Sequence, residues 1–164
     1  MKADAMRLTV ALLLLGVTPA LAADWGHYGN ARFGYGVDVP PGFVAQGEAD
    51  NGDGQVFLTP TATLTVYGGH IVMGDFEAEV RRREAADADS GWGLTYRSSS
   101  PQNASYSGKK GARILYARLV ALCKGTEFAA FELNYSRIDI GKFDALINRL
   151  VRSLRGSGNG LDCG

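Results

Sequence analysis

The chain has 164 residues, 17 basic and 17 acidic side chains, and no net charge. That balance gives no electrostatic drive towards nucleic acid or an acidic membrane surface. With 46% hydrophobic residues the length supports a domain with a real core, while His27 and His70 are the only histidines available for a zinc site or a catalytic triad.

Residues 1–22 have the form of a cleavable secretory signal peptide. Lys2 and Arg7 give a positive start, Leu8 to Val17 is apolar, and Pro19 precedes Ala20-Leu21-Ala22, a small-x-small cleavage pattern. The apolar run is too short for a membrane-spanning helix, which needs roughly 20 residues. Cleavage after Ala22 leaves an expected single α+β domain over 23–155 and a glycine-rich tail over 156–164, in the periplasm or outside the cell. In that oxidising setting Cys123 and Cys163, the only cysteines, are expected to form a disulfide; two unpaired thiols are the alternative. The closed loop of 40 residues corresponds to about 4 kcal/mol of chain entropy at most. The wide spacing does not suit a zinc or redox CxxC site.

In chain order, Trp25 to Arg32 is polar and predicts a lead-in loop. Phe33, Tyr35, Val37 and Val39 alternate with Gly34, Gly36 and Asp38, which predicts a strand whose glycine face admits a close neighbour. Pro40-Pro41-Gly42 ends it. Glu48 to Gly54 is an acidic turn. Strands are expected over 55–59 and 62–68. Asp75 is a candidate N-cap for a helix to about Asp89, supported by Glu77–Arg81 and Glu79–Arg83 pairs. Its apolar stripe is thin. A strand over 92–97 and a polar loop over 98–103 follow. Ala104 to Ser107 and Ala112 to Cys123 form a predicted hairpin, and the second arm, apolar on both faces, predicts a strand covered on two sides. After a Cys123-Lys124-Gly125 turn, Thr126 to Tyr135 returns as a strand. Phe143, Leu146, Ile147, Leu150, Val151 and Leu154 then lie on one face of an amphipathic helix stopped by Gly156. This order predicts a mostly antiparallel sheet packed against helices.

The Arg32-Phe33-Gly34-Tyr35 run, Val39-Pro40, the turn from Glu48 to Gln55, Val66-Tyr67-Gly68, and Cys123-Lys124-Gly125 ahead of a strand and a final helix ending Arg152-Ser153-Leu154-Arg155 occur in that order. The pattern resembles small exported bacterial proteins of unknown function with a PsbP/Mog1-like fold. The resemblance implies an α/β/α sandwich. It also implies a binding role, because one type in that fold associates with a photosystem's oxygen-evolving centre and another with a small GTPase. It carries over no functional residues.

Glu48, Asp50, Asn51 and Asp53 are the candidate binding residues. They place several oxygen ligands in a short glycine-containing loop, where calcium could be held. The spacing departs from an EF-hand, since the closing position counted from Asp50 is Thr61. A solvated turn and a polar partner-binding loop are the other readings. Ser107-Gly108-Lys109-Lys110 matches S-x-x-K without its companion motifs. Arg81-Arg82-Arg83 reads as a solvated helix face, its charges matched by glutamates. No GxSxG, P-loop or dinucleotide fingerprint is present, so no cofactor and no catalytic residues are assigned. The sequence therefore predicts an exported, non-enzymatic binding module acting through an unidentified protein partner, with a calcium- or small-ligand-binding envelope protein as the alternative.

Overall fold

Alternating side chains set the layers. On the strand Glu127–Ser136, Ala129, Phe131, Leu133 and Tyr135 point to one side and Phe128 and Ala130 to the other, and nearly all are buried. A strand apolar on both faces must lie inside a sheet.

The computed structural model describes residues 24–157 and Cys163; the predicted signal peptide and most of the tail lie outside the described residues. The strands are β1 (Gly26–Asn30), β2 (Tyr35–Val39), β3 (Val44–Glu48), β4 (Gly54–Leu58), β5 (Ala62–His70), β6 (Gly93–Ser99), β7 (Asn103–Lys110), β8 (Arg113–Leu122), β9 (Glu127–Ser136) and β10 (Arg155–Gly156). The helices are α1 (Phe76–Asp89) and α2 (Ile140–Ser153). A seven-stranded antiparallel sheet runs β3-β4-β5-β9-β8-β7-β6, and a three-stranded one runs β1-β2-β10. One face of the large sheet packs with the small sheet and α2 around Val37, Leu64, Val66, Phe131, Phe143 and Leu150. The other face packs with α1 around Phe76, Val80, Tyr106, Leu119 and Phe128. The predicted α+β sandwich is thus what forms, with β8 covered on both sides as its composition suggests.

Gly68 and Gly69 leave room for an aromatic ring on each face of the large sheet. A Cβ on Gly68 would sit 2.8 Å from the Phe33 ring, and one on Gly69 would sit 2.9 Å from the Phe128 ring on the opposite face. Real Cβ atoms do not approach so closely, so the paired glycines admit an aromatic ring from each side.

The thin stripe of α1 is supplemented by charge. Asp75 caps the helix, its Oδ1 accepting from Ala78 N at 2.8 Å. Glu79 is 3% exposed and holds both Arg82 (2.6 Å) and Arg83 (2.8 Å). Burial alone would raise the Glu79 pKa, but the hydrogen bonds from the two guanidiniums more than offset that and hold it below the ordinary value. The Arg83 guanidinium lies 4.7 Å from the Tyr67 ring centroid and 4.5 Å from that of Phe128, closing the core like an apolar side chain. Glu77 and Arg81, the other expected pair, make no ion pair among the described residues.

Several expectations need correction. The predicted lead-in loop contains β1, which the backbone of β2 recruits although its own side chains are mostly exposed. β3 was not expected at all. All five of its residues are exposed, so it has no alternation to detect. The final helix ends at Ser153, and Gly156 does not stop it but pairs with Tyr35 in β10. The predicted disulfide forms between Cys123 and Cys163, with Cα atoms 5.2 Å apart. Cys123 and Lys124 both adopt left-handed backbone (φ 47° and 55°) in the turn between β8 and β9.

Candidate binding groove

The amphipathic helix α2 buries Phe143, Ile147 and Leu150. Its N-terminal half leaves a groove of about 430 Å³ against β6, β7 and β8. The rings of Tyr96, Tyr116 and Tyr135 and the side chains of Ile114, Ile140 and Ile147 line it. Tyr96 (49% exposed) and Ile140 (46%) stand at its rim, and Ile138, in the one-turn 3-10 helix before α2, is 89% exposed. Large apolar side chains gathered at the mouth of a groove mark interaction surfaces more often than scattered ones do.

Polar side chains contribute to the lining as well, with Thr95 on β6. Asp144 and Asn148 project from α2, and Ser107 and Lys109 from β7. Burial pushes the Tyr135 hydroxyl pKa up, and the nearby Asp144 carboxylate pushes it further. The phenol therefore serves as a neutral hydrogen-bonding group. Tyr116 stacks on Phe131 with ring centroids 6.2 Å apart, which fixes the groove floor to the core.

The acidic turn lies elsewhere, joining β3 to β4, and most of its oxygens are engaged within the protein. Arg32 Nη1 donates to Asp53 Oδ1 at 2.7 Å and also to the Asn51 carbonyl. Asn51 Nδ2 donates to Asp53 Oδ2 at 2.6 Å. Glu48 Oε1 accepts from Tyr28 OH at 2.9 Å and from Asn30 Nδ2 at 3.4 Å. Asn30, 3% exposed, also donates to Gly52 O at 2.8 Å, and its Oδ1 accepts from Phe33 N at 2.9 Å. The turn thereby clamps the β1–β2 loop to the large sheet. Asp50 is exposed. Among the described residues no group of three or more His, Cys, Asp or Glu side chains is placed to hold a metal ion. A depression of about 230 Å³ does adjoin the turn, lined by Asn51, Asp53, Val56 and Tyr67.

Ser107 and Lys110, the ends of the S-x-x-K match, sit on β7. Residues three apart on a strand point to opposite faces, and the Lys110 ammonium donates to Ser90 O at 2.7 Å. His27 Nδ1 lies 3.3 Å from Asp38, and His70 Nδ1 lies 3.1 Å from the buried Glu127. A further depression of about 530 Å³ overlies the glycine face of β2, floored by Gly34 and Gly36 and rimmed by His27 and Arg155. Of these depressions the α2 groove gathers the most large apolar and aromatic side chains, beside a few hydrogen-bonding groups. No sequence motif announces it, because its residues come from five elements, β6, β7, β8, β9 and α2.

No protein-family profile and no curated protein sequence matches this chain. Solved structures do match in shape. The solution structure of cyanobacterial PsbP (CyanoP) from Synechocystis sp. PCC 6803 superposes with a TM-score of 0.58 at 16% identity, covering 87% of this chain and 98% of that one. The Ran-binding protein Mog1p of Saccharomyces cerevisiae superposes with a TM-score of 0.60 at 10% identity, covering 83% and 97%. A mutant form of Mog1 gives 0.61 at 10% identity, covering 85% and 99%. The chain therefore has the PsbP/Mog1-like fold that its sequence resembles.

Proposed function

We propose that this protein is an exported binding module that holds a protein partner in the groove between α2 and strands β6–β8. The observation that carries the reading is the exposure of Tyr96 and Ile140 at the rim of that groove, with Ile138 beside it. The shared fold supports it in one respect. Mog1p is a Ran-binding protein, so this framework serves protein recognition in at least one other chain. Ran itself does not follow for this protein, because fold does not fix the partner. Export is supported by the signal-like residues 1–22 and by the disulfide, which oxidising compartments favour. No helix among the described residues is long and apolar enough to cross a membrane.

A photo-crosslinker placed at position 96 or 140 tests the site in living cells. The expected result is one discrete adduct from either position and none from position 81, exposed on α1 across the sheet. Equal adducts from all three positions, or none from 96 and 140, would remove the groove as the partner site.

A further inference from the structure

Just outside the groove the same face of the sheet changes character. Cross-strand register aligns Tyr96, Ser107, Tyr116 and Leu133 in one row and Ser98, Ser105, Arg118 and Phe131 in the next. Directly opposed residues of an antiparallel sheet face the same side. Arg118 thus lies on the groove side of the sheet, one row beyond the tyrosines, half-buried among serine hydroxyls.

Its partners are all neutral, as are those of Arg113 on the opposite face of the sheet. Arg118 Nη1 donates to Asn103 Oδ1 at 3.1 Å and to Ser105 Oγ at 3.2 Å, both neutral acceptors. Its Nε is buried and has no acceptor. Arg32, Arg82, Arg83, Arg97 and Arg149 each hold a carboxylate. Among the described residues none lies within ion-pair distance of Arg118. Burial lowers the Arg118 pKa from the ordinary guanidinium value, as for a cation taken from water without a counter-charge. Such a charge is costly until something of opposite sign meets it.

We propose that the groove takes an acidic segment of the partner protein, with an Asp or Glu carboxylate seated on Arg118 and flanking apolar residues against Tyr96 and Ile140. The inference rests on the reading of this groove as the partner site. Arg118 Nη2, which has no acceptor among the described residues and is not buried, can donate to a carboxylate in a charge-assisted hydrogen bond. Lys109 in the groove lining is exposed to water, whereas Arg118 is half-buried, and one half-buried cation among neutral groups suits one negative charge. A phosphate group, with nearly two charges, normally draws several cations. Asp144 stands on the α2 side of the groove and disfavours a second acid there, so the segment has one orientation, its acidic residue towards β7 and β8 and its apolar residue towards α2.

Short random peptides displayed on phage and selected against the full chain test this directly. The expected binders carry an Asp or Glu at a fixed distance from a large apolar residue. Changing that acid to its amide in the best peptide should weaken binding to the unaltered protein about tenfold or more. Arg118→Gln should weaken the acidic peptide similarly, and Arg118→Lys should retain part of the affinity. The peptide-side change keeps the test valid even if an Arg118 variant folds poorly. Binders without acidic preference, or an amide peptide that binds equally well, overturn the inference. If Ile140→Asp still abolishes that binding, the partner groove stands and only the acidic segment falls; if Ile140→Asp also has no effect, both fall.

Discussion

The Tyr67 hydroxyl donates to Glu132 Oε1 at 2.5 Å and accepts from Arg83 Nη1 at 2.7 Å, so a single phenol joins the central strand β9 to helix α1. Burial raises the Glu132 pKa, against the lowering influence of the Tyr67 hydrogen bond, with Asp87 adding a like charge nearby. A carboxyl whose folded pKa lies above its unfolded value binds its proton more tightly in the folded chain. Its contribution is therefore fully present below the ordinary value of 4.5 and is lost as pH rises through the folded pKa. Glu132→Gln keeps an oxygen for Tyr67 and removes the charge. Relative to the unaltered protein it should gain stability between pH 4 and pH 7, read as the change in urea midpoint at the two pH values. Equal differences at both would show that Glu132 is not strained by burial. Glu79 and Asp38 run the other way: each has its pKa lowered by arginine hydrogen bonds that outweigh burial, so their stabilisation is lost as pH falls.

Gly68→Ala should destabilise the fold by about 1–3 kcal/mol, because the new methyl meets the buried Phe33 ring and neither the strand nor the ring can move freely. Gly29→Ala is the control, since a Cβ there meets nothing within 4 Å. Denaturant unfolding of the two variants separates steric conflict from the general effect of replacing glycine in a strand.

The Cys123–Cys163 bridge closes 40 residues that include β9 and α2. Cys163→Ser should cost about 2–4 kcal/mol, through greater freedom of the unfolded chain. Thiol-blocked and oxidised forms of the unaltered protein should differ by a similar amount. A difference near zero would mean that the unfolded chain already keeps these segments together.

A cation at the acidic turn has to compete with Arg32 for Asp53. Arg32→Ala should therefore increase any rise in melting temperature produced by calcium chloride, as linkage of binding to folding requires. An identical response with and without Arg32 would place the bound calcium away from this turn. The ion pair is largely exposed, so its loss alone should cost about 1 kcal/mol or less.

The features legible in the sequence are those with strong local periodicity. The apolar face of α2, the Asp75 cap and the alternation along Tyr35 to Val39 each reflect a periodic or capping signal within a few residues. β1, β3 and β10 were not legible because they are short and largely exposed, so that backbone pairing alone defines them. The acidic turn is legible as a turn, but not that Glu48 and Asp53 are engaged by Tyr28, Asn30 and Arg32, which reach them from β1 and the β1–β2 loop. The groove was invisible for the same reason. Tyr96, Tyr116 and Ile140 become neighbours only after β6, β7 and β8 pair and α2 crosses them.

The small sheet is made from two distant stretches of chain: β1 and β2 come first among the described residues, and β10 follows α2. Synthesis proceeds from the N-terminus, so β2 must wait for its second neighbour until all the other described strands have emerged. During that interval the face carrying Val66, Phe131 and Leu133 has no α2 above it. A nascent chain or a prematurely terminated product would present that bare apolar sheet to chaperones and proteases. Completion of this fold is thus a late event in the life of the polypeptide, and quality control has a simple feature to recognise until it occurs.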